Sequence, residues 1–368
     1  MGDKKINLDK EKILQIISEK KNINNLSKLR EEVKEIIDNI KSERENFSVN
    51  KDKESIKYKK EVLIEMLEKV VDSNSLERGK HYLESLRKSI DEVRTKKVND
   101  INLNRWREYD DIITDSLWNF PKRDTSGAHI ADYWGNFIPQ IPRQVMKRYT
   151  KRGEWVLDSF SGSGTTLIEG KRLGRNSVGI ELNPEVVEKS RKIISEEDNP
   201  YDVETKVIYG DSKEIDKEKI TKNLPIDKFQ LVIMHPPYHD IIKFSEGEED
   251  LSNSESVKDF LEMFGEVVDN ISPLLEKDRY LVLVIGDKYS NGEWIPLGHL
   301  TGMELMKRGY TLKSTIVKNF DKTRGKRSKE KLWRYRALVG GFYVFKHEYI
   351  MIFKKTGSKS RIIDEVLN

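Results

Sequence analysis

Residues 155–166 read Trp155-Val156-Leu157-Asp158-Ser159-Phe160-Ser161-Gly162-Ser163-Gly164-Thr165-Thr166. A short apolar run enters a turn holding two glycines, and a helical pattern starts near Leu167. Glycines at a strand-to-helix turn let the backbone come close to a ligand, and the helix amino terminus presents free N–H groups. In open α/β sheets this geometry binds nucleotides at the carboxyl ends of the strands. A Gly-x-Gly by itself is as often an ordinary tight turn, so its surroundings decide.

Those surroundings alternate. Apolar runs at 177–181, 205–209, 229–234 and 280–285 read as further strands, and 184–195 and 257–270 as helices between them. Strands alternating with helices mean βαβ units and a mainly parallel sheet. Near the end, 342–345 and 348–353 read as an antiparallel closing pair. The expected fold is α/β and Rossmann-like, with a mostly parallel sheet, preceded by an all-α amino-terminal region.

Acidic residues follow three successive strands: Asp158, Glu181 about twenty residues on, and Asp211. A carboxylate at the second position meets ribose hydroxyls in dinucleotide folds. Three such acids suit a cationic sulfonium nucleoside, whereas Asp158 would repel a pyrophosphate at the turn. No Gly-Lys-Ser/Thr follows, which excludes a P-loop.

The segments 156–166 and Gly179-Ile180-Glu181-Leu182-Asn183-Pro184 resemble the first two motifs of the amino-methylating DNA methyltransferases, which transfer a methyl group from S-adenosylmethionine. The resemblance implies that Asp158 and the turn (Ser161, Gly162, Gly164, Thr165) hold the methionine part of that cofactor. Glu181, with Asn183 beside it, would bind ribose; Asp211 would lie by the adenine, and Phe160 would contact adenine or methionine. Asn136-Phe137-Ile138-Pro139-Gln140-Ile141-Pro142 resembles the motif that precedes the turn, which brings Phe137 and Pro139 to the cofactor pocket.

After the fourth strand comes His235-Pro236-Pro237-Tyr238. Consecutive prolines fix φ and lack N–H groups, so the loop is rigid and shows carbonyl oxygens. A rigid carbonyl can accept a hydrogen from an exocyclic base amino group, and Tyr238 offers a face for stacking on a base swung out of the duplex. The resembling family has Asp, Asn or Ser at the first position; this chain has His235. A neutral imidazole accepts through one nitrogen and a protonated one cannot accept at all. The expected role of His235 is therefore as a neutral acceptor. The departure removes the usual clue to the target base, and the proline-bearing segment 136–142 places cytosine N4 ahead of adenine N6 on resemblance.

Residues 321–336 carry Lys322, Arg324, Lys326, Arg327, Lys329, Lys331, Arg334 and Arg336 against two acids, with Trp333 and Tyr335 interleaved. Basic and aromatic side chains together suit phosphate contact and stacking, and these eight cations with Trp333 are the expected nucleic-acid residues. His347-Glu348-Tyr349 resembles the strand that follows the substrate loop in the family. The motif order is the unpermuted one.

The 368 residues are 36% hydrophobic and 35% charged, with a net charge of +4. Residues 1–100 hold 24 basic and 21 acidic side chains, no proline, and apolar residues at helical spacing, without a repeat of fixed period. They read as a charged helical region for dimerisation, partner docking or DNA contact, and 101–368 as the catalytic domain. With no cysteine, disulfides and thiolate metal sites are excluded, and the six histidines show no metal-ligand spacing. The start has no apolar leader and no stretch approaches a membrane span, which predicts a soluble, cytoplasmic protein with no membrane partner. The expected partner is DNA, alongside a second copy or a restriction or specificity subunit. Methylation of tRNA or rRNA, and a non-catalytic subunit that keeps the fold, are the alternative readings.

Overall fold

The computed structural model describes residues 5–42, 54–130, 133–320, 330–358 and 361–367. Two compact units divide between Asp111 and Ile112. The division falls later than the composition change near residue 101. Arg94 N–H donates to the Asn102 side chain at 3.0 Å and Leu103 N–H to the Arg94 carbonyl at 2.7 Å, which folds this segment back on the first unit.

The first unit runs β1 (Lys5–Asp9), α1 (Lys10–Lys21), α2 (Leu26–Lys41), β2 (Ser55–Lys59), α3 (Lys60–Val71) and α4 (Leu76–Asp91). Asp9, Asn25 and Ser75 cap α1, α2 and α4, each side chain accepting from an N–H in the first turn. Residues such as Ile13, Ile17, Val33, Leu63, Leu67 and Leu83 fall at helical spacing and close one core. Two findings depart from the sequence reading. The region is not wholly helical, because β1 pairs antiparallel with β2. It is also an internal repeat: strand, helix and helix start at Lys5, Lys10 and Leu26, then again fifty residues later at Ser55, Lys60 and Leu76. The repeat escapes periodicity because few matched positions share identity, while others share only burial, as at Leu8 and Tyr58, both fully buried.

In the second unit follow β3 (Leu117–Asn119), α5 (Gln140–Tyr149), β4 (Trp155–Asp158), α6 (Thr165–Leu173), β5 (Asn176–Glu181), α7 (Pro184–Ser195), β6 (Thr205–Tyr209), α8 (Lys217–Thr221), β7 (Phe229–Met234), α9 (Val257–Ile271) and β8 (Leu275–Ile285). Next are β9 (Lys288–Ser290), β10 (Glu293–Ile295), α10 (Leu297–Lys307), β11 (Tyr310–Asn319), α11 (Glu330–Gly340), β12 (His347–Lys355) and α12 (Arg361–Leu367). Among the described residues, eight strands form one sheet in the order β3-β11-β12-β8-β7-β4-β5-β6. The stretch β8-β7-β4-β5-β6 is parallel; β12 runs antiparallel to β8 and β11. Leu231 and Ile233 of β7 enter one core cluster, Val232 and Met234 the other, so both faces of the sheet are covered. An antiparallel closing pair is present, but its members are β11 and β12. Residues 342–345 form no strand. Among the described residues, no helix is long and apolar enough to cross a membrane.

Candidate active site

The glycine turn is held from below by Asp158, the last residue of β4, which is 1% exposed. One carboxylate oxygen accepts from Phe160 N–H at 3.0 Å and the other from the Thr166 hydroxyl. Burial drives its pKa up to about 6 against the pull of those two hydrogen bonds. Gly162 sits at φ +50°, and a Cβ there would lie 2.9 Å from the Tyr133 ring, so only glycine fits. Asn136 ties the preceding segment to the turn, donating to the Ser163 hydroxyl and accepting from Thr165, both at 2.7 Å.

Above the turn, at the carboxyl ends of the parallel strands, lies a cavity of about 880 Å³. Ser159, Phe160, Ser161, Gly162 and Thr165 are in its wall, as are Phe137, Glu181, Asn183 and Asp211. Asp158, Gly164 and Pro139 are not. Asp158 is engaged by the loop's own donors beneath the chain, Gly164 caps α6 and Pro139 caps α5. These three lie behind the wall and shape the turn and helix starts that form it.

Glu181 accepts from Gly162 N–H and Asn183 N–H, both at 2.9 Å, and burial raises its pKa. Asn183 in turn caps α7. Asp211 accepts from Lys213 N–H at 2.8 Å, and its carboxyl is likewise raised by burial. Tyr133, Phe244 and Asp250 complete this end; nothing local in the sequence marks them.

The other end is built on the loop after β7, where His235, Pro236, Pro237 and Tyr238 all line the wall. The Phe137 ring packs on His235 with centroids 4.9 Å apart. Tyr238 lies against Gly286 at the end of β8, where a Cβ would meet the ring at 2.8 Å. The Tyr238 hydroxyl donates to Glu348 at 3.0 Å, and Glu348 pairs with the Lys318 ammonium at 3.0 Å. The hydroxyl proton being committed, its oxygen can only accept from His235 Nε2, 3.1 Å away. The imidazole therefore carries its proton on Nε2 and keeps Nδ1 as an acceptor. Burial lowers the His235 pKa to about 4 and pushes that of Tyr238 well up. His239 is buried, its Nε2 donating to the Ser254 carbonyl at 3.2 Å and Nδ1 accepting from Lys288 at 3.0 Å; Asp240 and Asp287 reach the wall.

Of the expected nucleic-acid residues, Trp333 on α11 lines the cavity, and the Arg336 guanidinium lies 5.3 Å from its ring centre. Lys331, Arg334 and Arg336 are exposed on the same helix. Lys322, Arg324, Lys326, Arg327 and Lys329 lie outside the described residues.

The wall fits S-adenosylmethionine. The buried hydroxyls of Ser159 and Ser161 have no partner among the described residues, the carboxylates of Glu181 and Asp211 line one end, and Phe160 and Phe244 supply aromatic faces. The sheet order, with the site at the strand ends, defines a Rossmann-like methyltransferase fold. A model of the DNA methylase (N6/N4 methyltransferase) family matches residues 5–192 and 229–368, and the chain belongs to that family. The chain is similar to the Type II methyltransferase M.MjaII of Methanocaldococcus jannaschii, with 42% identity over 64 residues, 17% of this chain and 12% of that protein. M.Cfr9I of Citrobacter freundii shares 40% over 73 residues, 20% of this chain and 23% of that one. M2.DpnII of Streptococcus pneumoniae shares 32% over 110 residues, 25% and 41%. The chain thus spans less than half the length of these relatives. The family's methyl donor is S-adenosylmethionine.

Proposed function

We propose that the protein methylates an exocyclic amino group of a base in duplex DNA, cytosine N4 ahead of adenine N6, as the modification enzyme of a restriction-modification or related defence system. The observation that carries this reading is one cavity shared by Glu181 and Asp211 at one end and His235-Pro236-Pro237-Tyr238 at the other. The order of the two bases rests on the resemblance of segment 136–142, and the defence setting on the names of the Type II relatives.

S-adenosylmethionine supplies an electrophilic methyl group when bound. Glu181, its oxygens each holding one backbone N–H, keeps lone pairs for ribose hydroxyls; Asp211 and Phe160 would hold the rest. On the acceptor side, the Pro236 carbonyl takes one amino hydrogen and His235 Nδ1 takes the other, which turns the nitrogen lone pair toward the donor. An imidazole of lowered basicity accepts a hydrogen bond without retaining the proton. Tyr238 and Trp333 offer faces to the base, and the rate comes mainly from alignment. Lys331, Arg334 and Arg336, with the basic residues before them, would meet phosphates.

Nucleoside mass spectrometry of DNA and RNA from cells with and without the gene tests the reading. N4-methylcytosine in DNA is expected; N6-methyladenine would correct only the base. A mark confined to RNA would favour the RNA alternative and sink the DNA reading.

A further inference from the structure

We infer that the amino-terminal unit is a second DNA-binding site, a two-stranded ribbon built from the internal repeat, which inserts into the major groove and reads bases there. The inference rests on the reading that the chain acts on DNA.

The repeat is folded about its own pseudo-two-fold axis. In the register of β1 with β2, Asn7 faces Lys57, its counterpart fifty residues on, and Lys5↔Lys59 mirrors Asp9↔Ser55. The same axis recurs in the helices, where Leu29 meets its counterpart Gly79. Comparable contacts flank that crossing, one residue off strict equivalence: Arg30 donates to the Ser73 carbonyl at 2.7 Å, and its counterpart Lys80 to the Asn24 side chain at 3.2 Å. Across the repeats, α1 packs on α4 and α2 on α3, so neither half has a core without the other.

That arrangement leaves one face of the ribbon to solvent. Side chains alternate along a strand. Leu8 and Tyr58 point into the core, while Lys5, Asn7, Ser55 and Lys57 are exposed. The charge suits an anion. The exposed positive charge is that of Lys5 and Lys57, since Lys59 is buried and paired with Asp110 and Asp9 is turned under to cap α1. Lys5 and Lys57 have no ionic partner among the described residues. A two-stranded ribbon fits the width of the major groove, where lysine pairs with guanine O6/N7 and asparagine with adenine N6/N7. The two halves present different side chains at matched positions, Asn7 against Lys57 and Lys5 against Ser55. The sequence read by the ribbon is therefore two unlike half-sites rather than a palindrome.

The test selects bound duplexes from a randomised DNA pool of about 30 base pairs, well beyond the about 17 Å that a five-residue strand spans, with the full chain, then with Asn7→Ala, Lys57→Ala and, as a charge control elsewhere on the unit, the exposed Lys34→Ala. Each replaced side chain is exposed, and an unchanged thermal midpoint verifies folding. The wild type should enrich a non-palindromic motif. Asn7→Ala and Lys57→Ala should each relax a different part of it and weaken binding about tenfold, while Lys34→Ala changes neither. Ribbon variants that enrich the same motif with affinity within about twofold would overturn the inference, as would a wild type that retains no duplex. Methylation is not the readout, so a failure of the methyltransferase reading would show separately, as no methylated base in DNA that the chain still binds.

Discussion

The Tyr238 hydroxyl donates to Glu348 at 3.0 Å across 110 residues of sequence, and this hydrogen bond decides which nitrogen of His235 can accept. Glu348, which also lines the cavity, is proposed as a positioning residue that sets the hydrogen bonds of Tyr238 and His235. Glu348→Gln gives the hydroxyl a neighbour that can donate as well as accept, freeing Tyr238 to donate to His235 and moving the imidazole proton to Nδ1. The expected result is a shift of the His235 ring ¹⁵N signals toward the Nδ1–H tautomer and a kcat lower by about ten- to a hundredfold, with cofactor affinity kept. An unchanged tautomer would remove Glu348 from this role.

The depressed basicity of His235 has its own signature. With the pKa lowered to about 4 by burial, the ring stays neutral through the physiological range and methyl transfer should show no inflection from it near pH 6.5. A ring proton titration followed by NMR should place the midpoint well under 5. The sign for stability follows: the unfolded chain binds the proton more readily, so this group makes the fold more stable as pH rises from about 4 to about 6.5. A midpoint near 6.5 would refute a neutral acceptor held by its surroundings.

Asp158 makes a separable prediction about the turn. Asp158→Ala strands the Phe160 N–H and the Thr166 hydroxyl without their acceptor and should cost about 2–4 kcal/mol in urea unfolding. Asp158→Asn keeps an acceptor and should cost less. Because burial raises the folded-state pKa to about 6, the wild type loses stability as pH climbs from the ordinary carboxyl range to about 6. The disadvantage of Asp158→Asn should therefore be smaller at pH 7.5 than at pH 4.5. A disadvantage that grows with pH would mean an ionised Asp158 supports the turn.

How far these features were legible in sequence depended on how local their cause was. The glycine turn, Glu181, Asp211 and the proline loop each lie within a few residues of a strand end, and the chain pattern places them together in one wall. Which way Asp158 points was not legible, because a carboxylate after a strand can serve the ligand or the loop, and only the positions of Phe160 N–H and Thr166 settle it. Glu348 and Lys318 lie on neighbouring antiparallel strands far along the chain from Tyr238, and no spacing rule links them. Residues 342–345 read as a strand of the closing pair because apolar aromatic runs resemble strands; those residues instead face the cavity. The amino-terminal repeat stayed hidden because helix periodicity swamped two five-residue strands.

The proposed phosphate contacts of the exposed α11 cations carry a prediction about DNA affinity rather than chemistry. Replacing Lys331, Arg334 and Arg336 with alanine should weaken duplex binding regardless of sequence and lower the slope of log K against log salt by about 0.9 for each phosphate no longer neutralised. An unchanged slope would take this helix out of the interface. Removal of the Glu181 carboxylate should act at the other end of the cavity. Glu181→Ala should raise the calorimetric Kd for S-adenosylmethionine at least tenfold, while DNA affinity is kept; equal cofactor affinity would exclude the ribose role.

The decisive measurement incubates the purified full chain with S-adenosylmethionine and duplex DNA rich in both bases, then digests the DNA and identifies its nucleosides by mass spectrometry, with His235→Ala in parallel. The account predicts a methylated exocyclic amino group, N4-methylcytosine first, and its disappearance or steep reduction in the variant. A wild type that binds the cofactor yet leaves every base unmethylated, or a variant as active as the wild type, would contradict it.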